Sequence, residues 1–167
     1  SIESILRHVN IYDTPGREWL EAVVNHKVAN QLLIDAVRQI EDFADQAKID
    51  FDFDKALNFY SKIYQATVKC PESELIKINV LFKKAMIHYH LDSYGETKSA
   101  LFEILEHSER CRDQFDTGQV HYYLGLVFRT ENNPERSKYH FNVSVKLLNV
   151  SPKKKSLFNY YKALINK

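Results

Sequence analysis

Two cysteines in 167 residues, Cys70 and Cys111, are too few for a disulfide framework or a zinc quartet. A reduced, cytoplasmic setting is the corresponding expectation. No apolar run approaches the roughly 18 residues that a membrane-spanning helix needs, and no signal peptide is visible. Excess charge of one sign is also scarce, with 23 Lys and Arg against 22 Asp and Glu and a net charge of +1. A general nucleic-acid binder carries a strong basic excess, so nucleic acid is set aside as a partner. Glycine and proline number four each. Pro15, Gly16, Pro71, Gly95, Gly118, Pro134 and Pro152 fall at or near expected helix boundaries, which leaves Gly125 alone inside a strongly periodic segment. Polar and apolar residues alternate only in residues 49–54. Short and flanked by helical patterns, this stretch reads as a turn with two buried rings, Phe51 and Phe53. The expectation is an all-α chain.

The signatures of catalysis are missing too. There is no Gly-rich phosphate loop, Walker lysine or nucleophile elbow. His88 and His90 are two residues apart and point to different faces of a helix, so they cannot chelate one metal together. His88 could approach His121 from the next hairpin, but two imidazoles without a third ligand make a weak metal site. Glu106-His107 lacks the second histidine of a zincin helix. No carboxylate falls in an apolar setting that would tune it for acid catalysis. No catalytic, cofactor or metal site is expected, and enzymes are the least supported class.

What the chain has in quantity is aromatic residues, ten Tyr and ten Phe, and a repeat. Ala56, Thr97 and Ser137 are small and lie 41 and 40 residues apart. Tyr60, Leu101 and Phe141 each follow four residues later, and Ile63, Ile104 and Ser144 three after that. Twelve residues before each small residue stands another: Ala44, Ala85 and Gly125. Cys70, Cys111 and Ser151 share one position at the expected helix ends, which puts the cysteines about one repeat apart, too far for a bridge. Two antiparallel helices approach to about 8 Å only where small residues face the contact. Each hairpin then leaves apolar surface for the next to cover, so the units must stack. Residues 159–165 parallel residues 121–127 and read as a further first helix. At the front, Thr14-Pro15 is a helix start, with Trp19, Ala22, His26 and Ala29 on one face and a break expected near Ile34-Asp35. Ser1 opens directly on helix-like sequence, the pattern of a segment of a longer polypeptide.

The hairpin Leu124-Gly125…Phe128…Asn132-Asn133-Pro134…Ser137…Phe141…Ser144 resembles the tetratricopeptide repeat. Residues 37–71 fit through Phe43, Ala44, Phe53, Ala56, Tyr60 and Ile63. Residues 78–112 fit through Ala85, Tyr94 and Thr97, with Lys84 where the family has Leu. The period exceeds the family's usual length of about 34, and such long repeats resemble those of kinesin light chains and bacterial peptide-sensing regulators. The resemblance implies a right-handed superhelical stack of antiparallel hairpins: N-terminal helices in 1–36 (a degenerate first repeat), repeats at 37–71, 78–112 and 118–152, and a capping helix or further repeat at 153–167.

The family's concave face is lined by first helices. Its register puts Arg38, Glu41, Asp42 and Asp45 there, then a partner-binding groove of Asn79, Phe82, Lys83, Met86, Tyr89, Gln119, Tyr122, Tyr123, Leu126 and Arg129. His90, Tyr160 and Tyr161 extend the row. The implied function is a non-enzymatic scaffold, adaptor or regulatory module that holds a protein partner's peptide or helix, with Lys83 and Arg129 bonding to an acidic or C-terminal group. Members that clamp a chaperone's C-terminal carboxylate carry Lys and Asn early in the array, where this chain has Glu41 and Asp45, and basic residues at later positions, where it has Gln119 and Tyr123, which argues against that subtype. The alternatives are the sensor or output domain of a bacterial signalling or transcription regulator, and self-association through a terminal hairpin. Lys153, Lys154 and Lys155 read as a solvated helix start rather than a phosphate or lipid contact.

Overall fold

The computed structural model describes residues 17–68, 73–108 and 116–149, together with residue 163. Among them the chain forms six helices and no strand: α1 (Arg17–Ile49), α2 (Phe53–Thr67), α3 (Glu74–His90), α4 (Tyr94–Ser108), α5 (Thr117–Thr130) and α6 (Pro134–Asn149). They pair as α1 with α2, α3 with α4 and α5 with α6; α2–α3 and α4–α5 contacts join the pairs into a stack. Cys70, Cys111, Lys153, Lys154, Lys155, Tyr160 and Tyr161 lie outside the described residues, as do Thr14, Pro15 and the expected helix around Ile5.

The six small residues at the expected helix contacts, Ala44, Ala56, Ala85, Thr97, Gly125 and Ser137, are all buried. In the third hairpin the approach is close enough for hydrogen bonds between helices. Ser137 Oγ donates to the Gly125 carbonyl at 2.9 Å, and Ser144 Oγ to the Gly118 carbonyl at 2.8 Å. Both hydroxyls are buried, so each bond also satisfies a donor that water cannot reach.

Two apolar clusters make the core, and α3 feeds both. Ile78, Leu81 and Ala85 pack with Ala100, Leu101, Ile104, Val120, Leu124 and Phe128. Val80 and Ile87 pack with Val37, Ala44, Ala47, Ala56, Tyr60 and Ile63. A helix buried on two sides is the middle layer of a stack, and what α3 still presents to solvent is the half-buried and exposed residues between those two sides, Asn79, Phe82, Met86, Tyr89 and His90 among them.

Each hairpin turns by the same local device. Phe51, Asp92 and Asn132 have positive φ, at 61°, 56° and 55°. The next residue's N–H then bonds back to a carbonyl five residues earlier: Asp52 to Ala47 at 2.9 Å, Ser93 to His88 at 2.9 Å and Asn133 to Phe128 at 2.9 Å. This left-handed C-terminal cap satisfies carbonyls the helix end leaves open. Asp52 and Asn133 then cap α2 and α6, accepting from Lys55 N and Arg136 N at 3.2 Å each.

Asp and Asn tolerate the left-handed conformation; a bulky aromatic does not, at a cost of roughly 1–2 kcal/mol. Phe51 is moreover 75% exposed. Its ring contact with Phe53, with centroids 6.1 Å apart, offsets part of the strain. Phe51→Asn is therefore expected to raise stability by about 1 kcal/mol, read as a higher urea midpoint with an unchanged slope.

Two expectations are corrected. α1 runs 33 residues without interruption, so the break expected near Ile34-Asp35 falls inside one helix; no glycine or proline stands there to interrupt the ladder. Residues 49–54 do make a turn, but Phe51 faces solvent and Phe53 is only half-buried, because the left-handed cap swings residue 51 away from the core.

Candidate functional site

The expected groove residues lie on α3 and α5, and ring contacts draw the aromatic ones into a strip. Phe82 meets Tyr123 edge-on at 5.9 Å between centroids, Tyr89 meets the same ring at 5.5 Å, and Tyr122 meets it at 5.4 Å. Tyr94, at the start of α4, extends the strip through Tyr89 at 6.1 Å; it had stood only as a marker of the repeat frame. Phe82, Met86, Tyr89, Gln119, Tyr123 and Leu126 are half-buried, while Asn79 and Arg129 are exposed. A half-buried ring is held in orientation by its neighbours while part of its surface stays in contact with water.

Two of the expected contacts are differently employed. Tyr122 is only 6% exposed and packs on Phe141 at 5.9 Å, so it supports the strip from within the α5–α6 hairpin. Lys83 does not offer an open charge. Its Nζ lies 2.6 Å from Glu41 Oε1 and 2.8 Å from Asp45 Oδ2, tying α3 to α1. The Tyr60 hydroxyl also donates to Asp45. Burial would push the Asp45 carboxyl up, but hydrogen bonds from Lys83 and Tyr60 and the two lysine charges bring it below its ordinary 3.8. Burial and the bond to Asp45 raise the Tyr60 phenol far above its ordinary value. Burial opposes the Lys83 charge, yet the same carboxylates raise its pKa. Arg129 holds its guanidinium 5.6 Å over the Phe141 ring.

Between α1, the turn after it and α3 opens a cavity of about 480 Å³. Phe51, Phe53, Phe82, Met86, Ile87 and His90 line it, and Lys48 and Lys83 complete the lining. Phe53 and His90 stack edge-on at 5.3 Å. The alternating pattern of residues 49–54 had pointed both Phe rings inward; that they instead wall an open cavity depends on the cap geometry at Phe51. A smaller cavity of about 230 Å³ lies on the opposite side of α3, against Tyr64, Lys84, His88, Glu96 and Glu103. Lys84 sets its ammonium 5.6 Å over the Tyr64 ring, and burial lowers its pKa. Tyr64 donates to Glu103 at 2.6 Å, and that bond, with burial, pushes the phenol up to about 12.

His88 does not meet His121. Its place is taken by His140 of α6, whose Nδ1 lies 2.9 Å from His121 Nδ1. His140 also stacks on Phe128 at 5.4 Å with planes 8° apart. Among the described residues no three His, Cys, Asp or Glu side chains converge on a point where a metal could sit. None of the described helices is long and apolar enough to cross a membrane.

A scan against models of known protein families and a search of curated proteins both find no match. Among solved structures, the chain is similar to the N-terminal domain of stress-induced protein-1 (STI-1) from C.elegans, with a TM-score of 0.60 and 18% identity. The match covers 78% of this chain and 97% of that one. The fold is tetratricopeptide-like. At that identity the likeness concerns the fold alone, and the side chains that give this tetratricopeptide-like stack its chemistry are its own. Glu41 and Asp45 bonded to Lys83, together with the Phe82–Tyr123–Tyr89 strip, make the α1–α3–α5 side apolar and aromatic with an acidic end.

Proposed function

We propose that the chain is a non-enzymatic protein-interaction module of the long-repeat tetratricopeptide type, a scaffold, adaptor or regulatory part that holds a peptide or helix of a partner protein. One observation carries this reading. Phe82, Tyr89 and Tyr123 form a connected aromatic strip from α3 to α5 that is braced by the core yet partly open to solvent. Rigid, half-buried aromatics lose little side-chain entropy on binding and bury large apolar area, so they anchor partners well. A likeness in fold to the STI-1 domain accords with the reading without naming a partner.

The test compares proteins retained from extract by the immobilised chain and by a Tyr89→Ala/Tyr123→Ala variant, followed by affinity measurement on the partner most depleted. Its affinity for the variant is expected to be at least about tenfold weaker, with the far-UV helical signal unchanged. Equal affinity would remove the strip from the interface. Tyr122→Ala is the contrasting control: its ring is buried, so its loss acts first on stability.

A further inference from the structure

We infer that the cavity at the first hairpin turn is a docking pocket for a partner segment that carries a bulky apolar side chain flanked by lysine or arginine. The inference rests on the reading of the chain as a protein-interaction module, and gives one end of its groove a defined ligand chemistry.

The apolar half of that chemistry comes from the lining. Phe51, Phe53, Phe82 and Met86 surround about 480 Å³, a volume in the range of small-ligand and side-chain pockets. Phe51 is the informative member. Its backbone occupies the left-handed position that Asp92 and Asn132 occupy in the other two turns. The turn itself has no use for an aromatic ring, and the ring is mostly in water. A residue that strains the backbone and exposes apolar surface lowers stability twice, and such strain gathers at ligand-binding positions.

The charged half comes from the surroundings. Residues 41–55 hold six carboxylates against Lys48 and Lys55. Lys83 reaches this region from α3, but it is bonded to Glu41 and Asp45 of α1, and Lys48 lies 3.7 Å from Asp45. The cations in the lining are thus matched by carboxylates. Asp50 and Asp52, which flank Phe51, and Asp54, which follows Phe53, are all exposed. α1 and α3 both end here, at Ile49 and His90, and helix C-termini add partial negative charge. The opposing N-terminus of α2 is offset by the Asp52 cap and by Asp54 in the first turn. An acidic segment or a free C-terminal carboxylate would be repelled. A lysine or arginine beside the apolar anchor would meet Asp50 and Asp54 within the screening length of about 8 Å at physiological salt.

The experiment uses the full 167-residue chain and a fluorescein-labelled peptide, Ser-Arg-Leu-Trp-Arg-Ser. One control peptide replaces both Arg with Glu, and a second replaces Leu-Trp with Gly-Gly. Anisotropy titration is expected to show the basic apolar peptide binding about tenfold tighter than either control, less so as salt rises. Phe51→Asn is expected to weaken it about tenfold while raising the urea midpoint, opposite signs that loss of fold cannot produce. Asp50→Asn/Asp54→Asn should weaken binding and flatten its salt dependence. Equal binding of the acidic peptide overturns the inference. So does an unchanged affinity in Phe51→Asn, or a concentration-dependent dimer in sedimentation that excludes the peptide. If the basic peptide shows no preference while a partner is still held through Tyr89 and Tyr123, this pocket fails and the interaction module stands.

Discussion

Replacing Gly125 with Leu is expected to cost roughly 3 kcal/mol or more, a large share of the roughly 5–15 kcal/mol by which an ordinary domain is stable. Gly125 lies where α5 and α6 touch. A Cβ there would fall 2.6 Å from two atoms of the Phe141 ring and 3.0 Å from a third. The ring has little room to yield, because Tyr122 packs against it and Arg129 covers it. Gly125→Ala sets two effects against each other. Alanine favours the helix by about 1 kcal/mol, but the clash forces the helices apart or the ring out of place, at about 1–3 kcal/mol. A helix displacement would also lengthen the Ser137 bond to the Gly125 carbonyl. The net expectation is a loss, read as a lower urea midpoint. Phe141→Leu should relieve the clash, so the Gly125→Ala/Phe141→Leu double variant is expected to lose less than the two single losses added together. Strict additivity would mean that the ring and the glycine do not meet.

The second large effect is on acid stability. His121 and His140 face each other through Nδ1 atoms, so one ring must donate and the other accept, and a doubly protonated pair has no acceptor. Burial lowers the His121 pKa below its ordinary 6.5. Burial, then the neighbouring imidazole and Arg136, take His140 down to about 4. The unfolded chain therefore binds more protons than the folded chain between about pH 4 and 6.5, where stability rises with pH. Conversely, as pH falls through this window the fold loses stability, by roughly 1–3 kcal/mol for His140 once solvent screening is allowed for. Asp45 acts lower. Its depressed pKa stabilises the fold above the ordinary 3.8, and that contribution is lost only as pH falls below it. Urea midpoints at pH 7.5 and pH 5 should thus differ clearly in the parent chain. The difference should shrink when both rings are replaced by Phe, which keeps the stacking surface against Phe128. An equal drop in that variant would assign the acid sensitivity to other groups.

Much of the architecture could be read directly from the residues. The register that aligns Ala44, Ala85 and Gly125 with Ala56, Thr97 and Ser137 locates the helix contacts because close approach leaves space only for small side chains. The turn at Asn132-Asn133-Pro134 was legible for a similar reason: Asn accepts positive φ, Asn caps, and Pro suits a first helical position. The candidate site was less legible. The Phe82–Tyr89–Tyr123 strip follows from the register, but the burial of Tyr122 one residue away depends on how α6 sets Phe141. Lys83 looked like an available cation because its two carboxylates are 42 and 38 residues distant in sequence. The exposure of Phe51 was hidden by an alternating pattern that suggests inward rings.

The primary structure thus settled what depends on neighbours along the chain: helix periodicity, the turn at Asn132-Asn133-Pro134, the small residues at contacts, and hence a stack of hairpins. Only the packed structure decided the continuous α1, the pairing of His121 with His140 instead of His88, the matching of Lys83 by Glu41 and Asp45, and the open cavity beside Phe51. The reason is geometric. Local rules set which face of a helix is apolar, whereas a side-chain partner on another helix is chosen by the rotation and offset between the two, and a shift of one residue turns a helix by about 100°.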